Sequence, residues 1–198
     1  MSRPVIVVVG AGPGVSGSVA RRFADEGYDV ALLGADRQAL DDLVPDLEAR
    51  GATVGHTVAD VTDEQAARDA VRRFGEHTGR IDVLHFNPSA FREKDPLALT
   101  VEELLEDVAL GVGALLTVVQ AARPFMSGGG RVSVTGSMAA DEPWGEPAEA
   151  TPKSGARKSA ARPVRRTLPG TGARLFEIDP GCAPGGRCSW RSPGRNPR

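Results

Sequence analysis

The stretch from Val5 to Gly17, VIVVVGAGPGVSG, constrains the fold more than any other part of the chain. Its first five residues leave no polar face, so they read as a strand buried on both sides, the environment of a parallel sheet. Glycines follow at 10, 12, 14 and 17, and a helical pattern then runs to about Glu26, with Gly27 as its stop signal. Gly12, Gly14 and Gly17 satisfy G-x-G-x-x-G between a strand and a helix, the context from which that motif takes its meaning. Glycines let the backbone turn and approach a diphosphate closely, and free N–H groups at the helix N-terminus meet its charge. A dinucleotide is the expected ligand.

The rest of the chain alternates strand and helix. Asp29–Leu33 (DVALL) reads as a second strand, and Asp36 caps a helix to about Arg50. Ala52–Val58 is a third strand, Thr62 to about His77 a third helix, and Ile81–Phe86 a fourth strand. Thr100 with Glu103 forms a capping box. It opens a long helix on which Leu104, Leu105, Val108, Val112, Leu115, Leu116 and Val119 recur at helical spacing. Arg131–Thr135 and Arg174–Ile178 complete the series. Such alternation with short links predicts an α/β fold: a Rossmann-like, doubly wound parallel sheet of about six strands in three αβα layers, with right-handed crossovers.

A chain of 198 residues is expected to hold one core, here residues 1–181. Patterning weakens after about residue 140. The helix expected from about Lys153 to Leu168 has only a thin stripe, Ala156, Ala160 and Val164. Pro163 lies inside it, where the lost backbone hydrogen bond costs ~3 kcal/mol. Residues 182–198 lack periodicity and are expected to form a disordered, basic tail rich in Gly, Pro and Arg.

A formal net charge of -2 predicts neither bulk nucleic-acid affinity nor bulk membrane affinity. The charge is uneven: residues 151–198 carry 11 Lys and Arg against 2 Asp and Glu, and the remainder 13 against 24. The basic end raises nucleic-acid binding as a third function class, but only Phe176 and Trp190 interleave with its cations, which argues against it. The opening apolar run is too short for a signal-peptide core, and shorter still than the ~20 residues that cross a bilayer. A soluble, cytoplasmic protein is expected. Cys182 and Cys188 make no metal-ligand spacing with His56, His77 or His85 and read as free thiols, so no metal is expected.

At the end of the second strand, LLGADR places Gly34 and Ala35 where a carboxylate would hold the ribose of NAD. No negative charge there repels a 2′-phosphate, and Arg37 stands close enough to attract one. The expectation tilts toward NADP over NAD.

With these residues in place, the chain resembles the short-chain dehydrogenase/reductase family over about residues 4–181. Gly10, Gly12, Gly14 and Ser16 look like its glycine loop, with Ser16 where a third glycine is usual. Asp60 in VADVTD, followed by Val61, resembles the aspartate that contacts adenine. Asn87 in HFNPSA corresponds to the asparagine of its Asn-Asn-Ala-Gly motif. Ser137 in VSVTGS matches the catalytic serine, and Pro180-Gly181 the Pro-Gly that lines the nicotinamide pocket. The resemblance implies an oxidoreductase that uses NAD(P) on a carbonyl or secondary alcohol of a small molecule. It also implies a homo-oligomer built through the fourth and fifth helices.

The family's chemistry further calls for a tyrosine as general acid/base, a lysine one helical turn later, and an asparagine in the long helix. Residues at i and i+4 share a helix face, so the ammonium sits beside the phenol and lowers its pKa. Here Lys158 takes the lysine's place, but Ser154 stands one turn before it, and the asparagine position falls on Gly111. The single tyrosine, Tyr28, precedes the second strand. A serine hydroxyl is a far weaker acid and too short to reach, and losing a positioned acid costs ~10²–10⁴ in rate. The chain also departs from the family soon after Pro180-Gly181, where the basic tail begins. Two readings follow: an oxidoreductase with an incomplete set (Ser137, Lys158, Ser154), or a catalytically weak NAD(P)-binding pseudoenzyme with a regulatory or redox-silent role.

Overall fold

A computed structural model of the chain describes residues 2–89, 92, 96–126, 129–136, 166–167 and 174–178. The β-branched run forms β1 (Val5–Val9), every residue of it buried. It pairs in parallel with β2 (Asp29–Gly34) on one side and β4 (Val83–Phe86) on the other. β3 (Val54–Val58) extends the sheet beyond β2, and β5 (Arg131–Gly136) extends it beyond β4, both in parallel. The order β3-β2-β1-β4-β5 reverses direction between β1 and β4, the switch point at which such sheets bind ligands beyond their carboxyl ends.

The sixth strand departs from expectation. β7 (Arg174–Ile178) lies beside β5 but runs antiparallel to it, with Val132 opposite Ile178 and Gly136 opposite Arg174. β6 (Arg166–Thr167) pairs antiparallel with β7 at the sheet edge, so Arg166 and Thr167 are strand where the sequence predicted the end of a helix. Doubly wound sheets otherwise parallel often carry an antiparallel strand toward one edge, and β7 with β6 occupies that place here.

Strand alternation sorts the core into two layers. Ile6, Val8, Val30, Leu32 and Val83 face α1 (Val15–Asp25) and α2 (Arg37–Ala49), meeting Ala20, Ala24, Leu40, Leu43 and Leu47. Val7, Val9, Leu33, Leu84, Phe86, Val132 and Val134 face the other way, onto α3 (Glu64–Thr78) and α5 (Ala114–Ala122). The caps act as local chemistry dictates. Asp36 accepts from Ala39 N at 3.2 Å and Asp63 from Ala66 N at 3.0 Å. At α4 (Val101–Val108) the capping box is complete: Thr100 Oγ1 accepts from Glu103 N at 3.2 Å, and Glu103 Oε2 accepts from Thr100 N at 2.9 Å.

The long apolar helix is not one regular helix. A π turn over Ala109–Gly113 separates α4 from α5. The wider turn rotates the side chains that follow, and the predicted stripe splits. Leu115 and Val118 enter the core, whereas Val101, Leu105 and Leu116 stay exposed, and α4 buries one side chain, that of Asp107. By length and hydropathy alone the run Val101–Phe125 could cross a membrane. Here its α5 half packs on α3 and β4 as a core helix.

Candidate cofactor and active site

The carboxyl ends of β1, β2 and β4 converge on the glycine loop. Gly10 N and Ala11 N both donate to Leu33 O, at 2.8 and 2.9 Å, and Asn87 N donates to Val9 O at 2.9 Å. Gly10 has φ +74°, and a Cβ on it would lie 2.5 Å from Pro88 N, so only glycine lets the loop cross the end of β4. Gly34, at the place of the family's acidic residue, faces the same limit: a Cβ there would meet Ala11 O at 2.7 Å. Gly17 likewise allows α1 to approach Gly12 O. Gly12 and Gly14 differ, because a Cβ at either would meet nothing within 4 Å among the described residues.

That open space lies at the N-terminus of α1. No side chain caps Gly14, and Ser18 N to Gly14 O at 3.1 Å begins the helical ladder, so the earlier N–H groups remain available. No acidic residue occupies the first turn to oppose an anion. Free donors, partial positive charge and room for close approach are what a dinucleotide diphosphate needs, and these residues fit one.

Ser16 does not turn toward this space. Its side chain is buried, its hydroxyl donates to Gly10 O at 2.8 Å, and its Oγ accepts from Asn87 Nδ2 at 3.4 Å. Ser16 thus ties the glycine loop to Asn87, a link that residue spacing does not reveal. Asp60 is exposed beyond the end of β3, and its Oδ1 accepts from both the N–H and the hydroxyl of Thr62 at 2.8 Å. Val61 packs in the core. Arg37 is exposed in the first turn of α2 and makes no hydrogen bond or ion pair with the described residues.

Gly111 is buried in the middle of the π turn, a helix irregularity common at functional sites. Tyr28 stands at the opposite end of the sheet, its ring edge-on to Phe23 at 4.9 Å, far from the glycine loop. Ser137, Ser154, Lys158, Pro180 and Gly181 lie outside the described residues. So does the basic tail, and among the described residues no cluster of metal-ligating side chains forms.

Two polar arrangements have no sequence signature. His85, on β4, is fully buried, with Nδ1 3.0 Å from Ser133 Oγ on β5, and burial pushes its pKa down to about 4. Arg92 makes ion pairs with Glu103, Glu106 and Asp107 of α4, and the hydrogen bond with Asp107 chiefly raises its pKa. His85 sits in an apolar strand and Asp107 in an apolar-periodic helix, where a polar residue reads as the solvent face.

The short chain dehydrogenase family model matches residues 4–183. A ketoacyl reductase assigned to the granaticin polyketide synthase of Streptomyces violaceoruber is 32% identical over 186 residues, 90% of this chain and 72% of that protein. The oxidoreductase UcpA of Escherichia coli K12 is 31% identical over 184 residues, 88% of this chain and 67% of that protein. Among solved structures, a short-chain dehydrogenase/reductase of Serratia marcescens superposes with a TM-score of 0.74 at 27% identity, covering 80% of this chain and 66% of that one. The chain therefore spans about two thirds of these relatives' length, and it belongs to the short-chain dehydrogenase family of oxidoreductases.

Proposed function

We propose that this protein binds NAD(P) across the switch point and acts as an oxidoreductase on a carbonyl or secondary alcohol of a small molecule, with an incomplete catalytic set. The open space over Gly12 and Gly14, above the uncapped N-terminus of α1, carries the reading. The backbone there holds the diphosphate. Asp60 and Val61 border the adenine side, and the unpaired Arg37 favours the 2′-phosphate of NADP. Asn87, held by Ser16, faces the other half of the cofactor, with Lys158 on its ribose and Pro180-Gly181 beside the nicotinamide. The nicotinamide, when bound, supplies or accepts the hydride. Ser137 holds the substrate oxygen, and water or the substrate itself takes the tyrosine's part in proton delivery, since Ser154 is too short to reach.

A specific observation favours a weaker catalyst. Gly111 occupies the π turn without a side chain to anchor a relay water, and Tyr28 stands at the wrong end of the sheet. Together they support the second reading, an NAD(P)-binding protein with little or no turnover. The protein is read as soluble and cytoplasmic, with the exposed apolar residues Val101, Leu105 and Leu116 covered by a second copy of the chain.

Titration with NADPH and NADH, followed by a panel of carbonyl substrates, tests this. Binding with turnover supports the enzyme, binding without turnover the pseudoenzyme, and absence of binding to either dinucleotide removes both. Ser154→Tyr, placing a phenol four residues before Lys158, is expected to raise turnover by ~10²-fold or more.

A further inference from the structure

α4 is attached to the protein in an unusual way. A helix normally docks by burying an apolar stripe, yet Val101 and Leu105 are exposed, and the one side chain that α4 buries is the carboxylate of Asp107, 2% exposed. Asp107 Oδ1 accepts from Arg92 Nη2 at 3.3 Å, and its Oδ2 has no hydrogen-bond partner among the described residues. The same guanidinium reaches Glu103 Oε1 at 3.2 Å and Glu106 Oε2 at 3.1 Å. Arg92 thus grips the first two turns of α4, including the capping-box glutamate. Three carboxylates converge on one cation, so without it a buried charge would stand unpaired beside two of like sign.

Arg92 also lies five residues after Asn87, whose backbone packs against Gly10. One end of that short span is therefore fixed on the glycine loop and the other on α4. Asp107 in turn is one helical turn before Gly111, in the π turn. We propose that Arg92 and Asp107 are positioning residues of the cofactor cleft: their ion pair holds α4 in register with Asn87 and the glycine loop. This inference rests on the dinucleotide reading. It goes beyond it by assigning a task to two residues that touch neither the diphosphate space nor the adenosine side. Because β4 lies across the switch point from β2, the effect falls on the nicotinamide half of the cleft.

The test compares the full chain with Arg92→Met, Arg92→Lys and Asp107→Asn, by amide hydrogen exchange and by titration with NADPH and with ADP, which carries only the adenosine half. Arg92→Met and Asp107→Asn are expected to speed exchange in Val101–Val108 at least tenfold while Val5–Val9 stays protected. They should weaken NADPH binding about tenfold and leave ADP binding within twofold. Arg92→Lys, a point charge that cannot fork across three carboxylates, should fall between and guards against a variant that fails to fold. Unchanged exchange in α4 overturns the clamp. Faster exchange with unchanged NADPH binding, or equal losses for NADPH and ADP, overturns the positioning role. If the unaltered chain binds no dinucleotide, the cofactor reading has failed and the positioning role with it, while exchange alone still decides whether the ion pair clamps α4.

Discussion

His85 Nδ1 lies 3.0 Å from Ser133 Oγ across β4 and β5, and neither residue lies in the apolar layer against α3 and α5. The other ring nitrogen, Nε2, is buried without a partner among the described residues. Burial holds the ring neutral, with a pKa of about 4 against the ordinary 6.5. Between those values the unfolded chain takes up a proton that the folded chain refuses. Stability from this residue is therefore complete above pH 6.5 and falls as pH drops toward 4, by about 3 kcal/mol. Urea unfolding of the protein and of His85→Leu at pH 7 and pH 4.5 checks this. The unaltered chain should lose more stability than the variant, and equal losses would refute the assignment.

The glycines of the loop separate into two kinds, and substitution should tell them apart. Gly10→Ala forces a left-handed backbone on a residue with a Cβ and drives that Cβ into Pro88. The backbone alone costs about 1–3 kcal/mol, so the thermal midpoint should drop clearly. Gly12→Ala meets no atom of the described residues, and stability should stay within about 0.5 kcal/mol, while NAD(P)H affinity falls tenfold or more. A large loss of stability at Gly12 would mean that the space over it is not reserved for a ligand.

If the cofactor is NADP, as proposed, Arg37 is the residue expected to carry that preference. Its guanidinium has no partner among the described residues, and nothing anionic stands at Gly34 or Ala35. Arg37→Ala is expected to weaken NADPH about tenfold, the scale of one charge-assisted hydrogen bond, and to leave NADH within twofold. Equal effects on both cofactors would assign the 2′-phosphate elsewhere.

The exposed Leu105 and Leu116 lie on either side of the π turn and stay bare in a single chain. If a second copy covers them, Leu105→Lys combined with Leu116→Glu should lower the mass measured by light scattering to that of one chain while circular dichroism stays unchanged. A monomeric parent protein, or an unaltered oligomer in the double variant, would contradict that reading.

Much of the scaffold was legible before any coordinates, because its signals are local. Five β-branched residues can only be a buried strand, Asp36 and Thr100 cap the helices that follow them, and the glycine spacing marks where a backbone must turn tightly. By itself the sequence determined the family, the absence of a tyrosine four residues before Lys158, and five of the six strands it predicted to be parallel. The tertiary structure decided what depends on partners distant in the chain. It turned β7 antiparallel, because a strand's direction is fixed only when it pairs with a neighbour distant in the chain. It divided one apolar stripe between core and surface, because a π turn shifts the phase of every residue after it. It also buried His85 beside Ser133 and Asp107 beneath Arg92, two contacts made across 48 and 15 residues of chain, which no periodicity can announce.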